Sequence, residues 1–144
     1  MRNRKYELEL SAETDKLSEM RAFLEKHLEE AGCAMKAQMQ IVLAAEEIFV
    51  NIANYAYAPG KGSATVCLEL SEEPPAVTVT FIDSGIPFDP LAKPEPDVTL
   101  PAESREVGGL GIFMAKKAMD DVKYEYRDGQ NVLKLEKKLQ LNAV

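Results

Sequence analysis

Three polar side chains recur along one side of a mainly apolar stretch, and their types suit the binding of a metal ion and its ligand. The stretch covers residues 44–57, and the side chains on this side are Glu47, Asn51 and Asn54. With a helical advance of about 100° per residue, Asn51 lies roughly 40° to one side of Glu47 and Asn54 roughly 20° to the other. A helix here therefore carries one carboxylate and two amides on a single stripe.

From Ile41 onward the other side chains, Leu43 among them, are apolar on nearly every side of the helix, which predicts a helix that is buried almost all round. Unsatisfied polar groups in such a position cost roughly 1–3 kcal/mol each, so the stripe must have partners. Two interpretations are open at this point. The partners are either an internal network of backbone and water, or a metal ion and its ligand in a pocket that the helix lines.

Two later segments that contain glycine add groups suited to a nucleotide. Asp83 ends an apolar strand and Gly85 follows, so a carboxylate acceptor stands beside backbone that a flat group can approach. Gly108, Gly109 and Gly111 precede an apolar helix. Bare N–H groups at the positive end of a helix dipole suit a phosphate. Each segment alone also fits an ordinary turn, and the spacing matches neither a P-loop nor a dinucleotide fingerprint.

The elements that must position these groups follow from the spacing of the apolar residues. In chain order the predicted elements are a strand over 4–10, helices over 14–31 and 35–57, strands over 63–70 and 76–82, a long loop over 91–107, a helix over 112–119, and strands over 122–127 and 130–139. Asp128 and Gly129 are a strong hairpin signal between the last two strands. This order predicts an α+β fold, a two-layer sandwich whose largely antiparallel sheet is covered on one face by helices.

Length and charge limit the class of protein. A chain of 144 residues suits one domain over 1–144. The formal charge of -7 and the scattered basic residues disfavour nucleic-acid binding. The chain start lacks the continuous apolar core of a signal peptide, and no uncharged run reaches the roughly 18 apolar residues of a membrane span. We therefore expect a soluble, cytoplasmic protein.

The cysteines and the single histidine offer little chemistry. Cys33 and Cys67 stand alone, without a C-x-x-C pair or histidines at ligand spacing, so we expect two reduced thiols. His27 falls among acidic residues on the first predicted helix, and we expect it to be a solvated surface histidine.

The order of the three motifs resembles the GHKL ATPase/kinase superfamily with its Bergerat ATP-binding fold. The matching segments, 47–57, 83–90 and 108–112, look like those of the anti-sigma-factor serine-protein kinases of bacterial partner-switching systems. The resemblance extends over nearly the whole chain.

This resemblance implies roles for individual residues. Asn51 would coordinate Mg²⁺ that bridges the phosphates of ATP, and Glu47 would be the general base for the attacking hydroxyl. Asp83 would accept a hydrogen bond from the exocyclic amine of adenine, and Gly85 and Ile86 would line the adenine pocket.

The resemblance also implies a phosphate end of the site. Asn54 would face the phosphates, and the three glycines at 108, 109 and 111 would hold them through backbone N–H groups. Residues 91–107 would form an ATP lid. Arg105, the nearest cation before the glycines, is either a lid contact to the γ-phosphate or a solvated loop arginine.

Two positions depart from the family pattern. Tyr55, Ala56 and Tyr57 stand where the family often has His-Gly-Tyr or His-Ala-Tyr, which argues against a histidine contact but not against the metal site. Gln130 and Asn131 stand where many members have Gly-Thr. Asn131 is then the substitute polar partner on the adenine side.

Two functions follow from the resemblance. The first is Mg-ATP-dependent phosphate transfer to a serine or threonine of a STAS-domain anti-anti-sigma partner, by a homodimer that also sequesters a sigma factor. The second is a regulatory clamp that binds ATP or ADP and a partner but transfers nothing. Glu47 favours the enzyme, because a pure nucleotide sensor needs no base there. A histidine kinase is disfavoured, because His27 lacks the setting of a phosphoacceptor helix.

Overall fold

The structure is a computed structural model that describes residues 3–57, 60–72, 74–89 and 115–139. Its strands and long helices are β1 (Arg4–Ser11), α1 (Leu17–Glu30), α2 (Met35–Asn51), β2 (Ser63–Glu72), β3 (Pro75–Asp83), β4 (Asp121–Arg127) and β5 (Gln130–Lys138). A short 3-10 turn (Thr14–Lys16) leads into α1, and a π-helical turn (Ile52–Ala56) continues α2. Residues 115–118 are also helical.

The strands form one antiparallel sheet in the order β1-β2-β3-β5-β4. This confirms the predicted α+β class with helices on one face of an antiparallel sheet. Because β5 lies beside β3, residues far apart in the chain become direct neighbours. Asp83, at the end of β3, lies opposite Ala64 of β2 and Asn131 of β5.

The core lies between the sheet and the two long helices. Alternate strand residues point to this face, as the two-residue period of a strand requires, and helical residues three or four apart complete it. The largest fully buried side chains are Phe49, Phe81, Met20, Leu24, Leu28, Ile41, Leu68, Leu135, Val66, Val77 and Val79.

Positive φ angles mark two chain reversals, and the second confirms the predicted hairpin. Gly32, with φ of 77°, follows the end of α1. Asp128 and Gly129 have φ of 55° and 77°, the two positive values that a tight hairpin between right-twisted strands requires.

The prediction that the helix over 35–57 is buried almost all round is wrong. Met35, Met39 and Leu43 are 63%, 56% and 59% exposed, and Glu47 continues this exposed ridge. The reason is that α2 packs through one side against α1 and the sheet, and none of the described elements covers the ridge. Neither α2 nor any other described helix is long and apolar enough to cross a membrane.

The prediction of a solvated His27 is also wrong. Its ring stacks on Tyr6 of β1 with centroids 3.7 Å apart and meets Phe23 edge-on at 5.2 Å. Its side chain is only 13% exposed, and the buried Nδ1 accepts or donates no hydrogen bond among the described residues. This burial lowers the pKa of His27.

Both cysteines are free, as predicted, and both are buried. Burial raises the pKa of the Cys33 and Cys67 thiols. Since the thiolate is the reactive form, both behave as small apolar residues.

Candidate functional site

A cavity opens where the end of α2 meets the ends of β3 and β5. It has about 400 Å³ of empty space, its open mouth included. The residues that line it are Ile48, Asn51, Ile52, Ala56, Phe81, Asp83, Phe88, Tyr124, Asn131 and Leu133. Apolar walls with a few polar groups are typical of a site for a flat organic ligand.

Asp83 places a carboxylate in this cavity. The residue is buried and shares a strand face with Phe81, so it is the polar end of a line of core residues. Its Oδ1 accepts hydrogen bonds from the Gly85 N–H at 2.9 Å and from Asn131 Nδ2 at 2.9 Å. Its Oδ2 accepts none from the described residues. One oxygen of Asp83 is thus held by the protein, and the other remains as an acceptor for a ligand N–H.

Asn131 connects the sheet to the loop 84–89. Its Nδ2 donates to Asp83 Oδ1 and, at 2.8 Å, to the Ile86 carbonyl. Its Oδ1 accepts from the Phe88 N–H at 3.1 Å and from the Tyr124 hydroxyl. An amide has two N–H donors and two acceptor lone pairs, so its hydrogen-bonding capacity is used in full and the amide orientation is determined.

Tyr124 is the donor that completes this network from the edge strand β4. It lies opposite Leu133 of β5, on the face that carries Asn131. Burial raises the pKa of its phenol. The hydroxyl therefore remains protonated at neutral pH and acts as the donor to Asn131 Oδ1.

Tyr57 holds the other side of the same loop. Its hydroxyl donates to the Ser63 carbonyl at 2.6 Å and accepts from the Ser84 N–H at 2.8 Å. Its ring lies on Gly62, where a Cβ would stand only 2.3 Å from ring carbons. The sequence analysis named Tyr57 only in the comparison of residues 55–57 with the family motif and gave its hydroxyl no role.

The π turn decides which residues after Asn51 reach the cavity. Ile52 and Ala56 are buried and line it, whereas Asn54 and Tyr55 are exposed. Turns of this kind are often found at functional sites. The Ala56 carbonyl also accepts from the Ile86 N–H at 2.9 Å, which joins the π turn to the loop.

The structure brings together some of the predicted site residues. Asn51 and Asp83 line one cavity, although they come from motifs in different elements. Gly85 and Ile86 lie in the bordering loop, and the Ile86 side chain is 59% exposed. Both motifs therefore converge on the same place.

Other predicted site residues lie outside the cavity. Glu47 and Asn54 are exposed, and neither lines it. The predicted cost of burying these two side chains therefore does not arise. The loop 91–107 with Arg105, and the glycines at 108, 109 and 111, lie outside the described residues, so their roles stay predictions.

The adjacent acids of α2 have different surroundings. Glu46 receives a hydrogen bond from Arg21 of α1 at 2.6 Å, and this contact raises the pKa of Arg21. Glu47 has no ion pair or hydrogen bond within the described part of the chain. Glu46 thus joins the two helices, while Glu47 is a carboxylate that an incoming molecule can reach.

The donor set in the cavity fits a magnesium ion that arrives with a ligand. In the described ranges, no group of three or more His, Cys, Asp or Glu side chains could hold a metal by itself. Asn51 offers one amide oxygen, and it is half-buried in the cavity wall. Mg²⁺ is commonly held by one or two protein oxygens together with substrate phosphates and water.

The sequence matches the model of one protein family over most of its length. Residues 10–137 match the histidine kinase-like ATPase domain. The chain therefore belongs to the histidine kinase-like ATPase domain family.

Within this family, the relatives to which it is similar include serine kinases. It is 30% identical over 134 residues to the serine-protein kinase RsbW of Listeria innocua, covering 90% of this chain and 84% of that protein. It is 28% identical over 100 residues to the serine/threonine-protein kinase BtrW of Bordetella bronchiseptica, covering 69% of this chain and 70% of that protein.

Two solved structures share the fold. One is the crystal structure of the RsbU and RsbW domains of Rv1364c from Mycobacterium tuberculosis, with a TM-score of 0.69 and 21% identity. The match covers 98% of this chain and 34% of that longer chain. The other is a histidine kinase domain from Erythrobacter litoralis, with a TM-score of 0.50, 13% identity, and coverage of 88% and 60%.

Proposed function

We propose that this chain is an Mg-ATP-dependent serine/threonine-protein kinase and anti-sigma regulatory factor that acts on a STAS-domain anti-anti-sigma partner. The observation that carries the proposal is the meeting of Asp83 and Asn51 at one cavity. The first supplies a buried acceptor and the second an amide oxygen, which suit the two ends of a nucleotide. Membership of an ATPase family and similarity to proteins named serine kinases support it.

The cavity residues would bind and orient the nucleotide. Asp83 Oδ2 would accept a hydrogen bond from the exocyclic amine of adenine, and Phe81 and Leu133 would keep water from the adenine ring. Asn51 would hold Mg²⁺, which supplies charge neutralisation to the phosphates when bound. The loop 84–89, held by Tyr57 on one side and Asn131 on the other, would keep the adenine end in place.

Glu47 would act on the protein substrate. It lies four residues before Asn51 on α2, roughly one helical turn from the cavity wall. Its carboxylate would take the proton from a serine or threonine hydroxyl while that oxygen bonds to the γ-phosphorus and the bond to the ADP oxygen breaks. Its exposure suits this role, because the hydroxyl of a protein substrate must approach from outside.

The assembly belongs to the same proposal and rests on the resemblance to the anti-sigma kinases. The protein would work in the cytoplasm as a homodimer, hold a sigma factor, and release it as the state of the STAS-domain partner changes.

Calorimetry and phosphate labelling test the proposal together. Wild-type protein should bind ATP in the presence of Mg²⁺. Asp83→Asn should weaken binding by about tenfold to a hundredfold, because it replaces a charged acceptor of a hydrogen bond. A purified STAS-domain protein from the same genome should be labelled on serine or threonine by γ-labelled ATP. The absence of binding at saturating Mg-ATP would overturn the nucleotide site.

One observation favours the clamp without phosphotransfer. Glu47 does not line the cavity that contains Asn51 and Asp83. Under this alternative, wild type and Glu47→Gln would hold the nucleotide equally well, and neither would label a STAS-domain protein. That result would replace the kinase by the clamp while leaving the ATP site intact.

A further inference from the structure

We infer that Asn131 is a positioning residue that sets the preference of the proposed nucleotide site for adenine, an inference that rests on the proposed function. Asn131 itself would not touch the base through its donors, because both are directed to the protein. It would act through Asp83, its direct neighbour across β3 and β5.

Among the residues that the structure describes, only one side of the Asp83 carboxylate is held by hydrogen bonds. Gly85 N–H and Asn131 Nδ2 both donate to Oδ1, each at 2.9 Å. A partial rotation of the carboxylate would break both bonds, and a half turn would only exchange two equivalent oxygens. The protein therefore directs Oδ2, an oxygen that can only accept, toward the ligand.

An acceptor in this place discriminates between purines. The exocyclic amine of adenine donates to it, whereas hypoxanthine presents a carbonyl oxygen at the same ring position. Two acceptors that face each other in a low-dielectric pocket repel, and neither recovers the hydrogen bond that it lost from water. Discrimination thus depends on how firmly Oδ2 is directed at the base.

Asn131 cannot reverse its amide without loss. Its Oδ1 accepts from the Phe88 N–H and the Tyr124 hydroxyl, and these two donors would face N–H groups if the amide flipped. Its Nδ2 donates to two acceptors, Asp83 Oδ1 and the Ile86 carbonyl, which would face an oxygen after a flip. Tyr124 thereby contributes to the orientation of Asp83 through one intermediate residue.

The test measures dissociation constants for ATP and for inosine triphosphate, which carries a carbonyl in place of the adenine amine. Asn131→Asp keeps the shape and the two accepted bonds but replaces the Nδ2 donors by an acceptor. It should weaken ATP binding by about tenfold to a hundredfold. It should change inosine triphosphate binding far less, so that the preference ratio, the dissociation constant for inosine triphosphate divided by that for ATP, falls.

Two further variants keep the test decisive. Tyr124→Phe removes only the hydroxyl that holds Asn131 and should lower the same ratio by about two- to tenfold. It decides the question if Asn131→Asp does not fold. Gln130→Ala, at the exposed neighbouring position on β5, should leave the ratio at the wild-type value.

The outcomes separate this inference from the proposed function. If wild type prefers ATP and Asp83→Asn loses the preference while Asn131→Asp and Tyr124→Phe keep it, the inference is wrong and the nucleotide site stands. An equal loss of both nucleotides in the variants would show a structural role only and would also overturn it. If wild type binds neither nucleotide, the proposed function fails, and the inference fails with it.

Discussion

The backbone of Gly85 lies against the carbonyl group of Ala56, so closely that a Cβ on residue 85 would stand 2.2 Å from that oxygen. The Ile86 N–H donates to the same oxygen at 2.9 Å. The loop after β3 and the π turn after α2 therefore meet without a side chain between them. This contact sets one boundary of the cavity that contains Asp83.

Gly85→Ala should separate these two segments. Backbone atoms occupy the space that the new methyl group needs, so we expect a loss of roughly 1–3 kcal/mol in the free energy of unfolding. ATP affinity should fall as well, because the loop borders the cavity. Urea denaturation and calorimetry measure the two effects. Gly60→Ala is the control, since its Cβ would meet Tyr57 O at 3.2 Å and needs only a small shift. Equal stability of the two variants would contradict the close approach.

Tyr57→Phe should loosen the loop from its other side. The substitution removes the donor to the Ser63 carbonyl and the acceptor of the Ser84 N–H. We expect a stability loss of about 0.5–1.5 kcal/mol per hydrogen bond, measured by urea denaturation. Tyr126→Phe, whose side chain on β4 is 45% exposed, is the matched control and should change stability little. If both variants behave alike, the Tyr57 hydroxyl does not hold the loop.

Glu47→Gln and Asn51→Ala should separate catalysis from binding in the proposed kinase. The glutamine keeps the shape of Glu47 but cannot take up the proton, so ATP binding should survive while phosphotransfer falls by roughly 10²–10⁴-fold. Asn51→Ala removes the proposed metal ligand and should weaken both Mg-ATP binding and transfer. Calorimetry and a STAS labelling assay measure the two properties. A Glu47→Gln variant with wild-type transfer would exclude Glu47 as the base.

The buried His27 should make stability depend on pH. Its folded-state pKa lies below the ordinary value of 6.5 because burial disfavours the charged ring. At pH values just below 6.5 the unfolded chain binds more protons than the folded chain. The free energy of unfolding therefore falls as the pH drops. Urea denaturation between about pH 7 and about pH 5 measures this slope.

The control for this pH dependence is His27→Phe. It keeps a ring against Tyr6 but removes the titrating group, so the slope should become shallower. An unchanged slope would assign the pH dependence to other groups.

Leucines at two helical positions should respond differently to truncation. Leu43 of α2 is exposed and Leu28 of α1 is fully buried. Leu28→Ala should cost about 2–5 kcal/mol of unfolding free energy because it leaves a cavity. Leu43→Ala should stay within about 0.5 kcal/mol, as surface substitutions usually do. A large loss at Leu43 in the isolated protein would mean that its ridge is covered.

Much of the local structure follows from the order of residues alone. Alternating apolar residues predicted β1, and the Asp128-Gly129 pair predicted a hairpin whose positive φ angles the structure confirms. These features depend on neighbours in the chain, where steric and hydrogen-bonding preferences act directly. The candidate site motifs were visible for a similar reason, because Asn51 is a polar residue within an apolar helical stretch and Asp83 is a polar residue at the end of an apolar strand.

Only the tertiary structure decided which faces of those segments are buried against one another. Periodicity shows that a helix face is apolar but not whether anything packs on it, so Leu43 is exposed and His27 is enclosed, against the prediction in both cases. Likewise, the resemblance marked Asn131 as a polar partner, but only the pairing of β3 with β5 sets it opposite Asp83. The sequence determined which groups are available, and the order of strands in the sheet determined which of them meet.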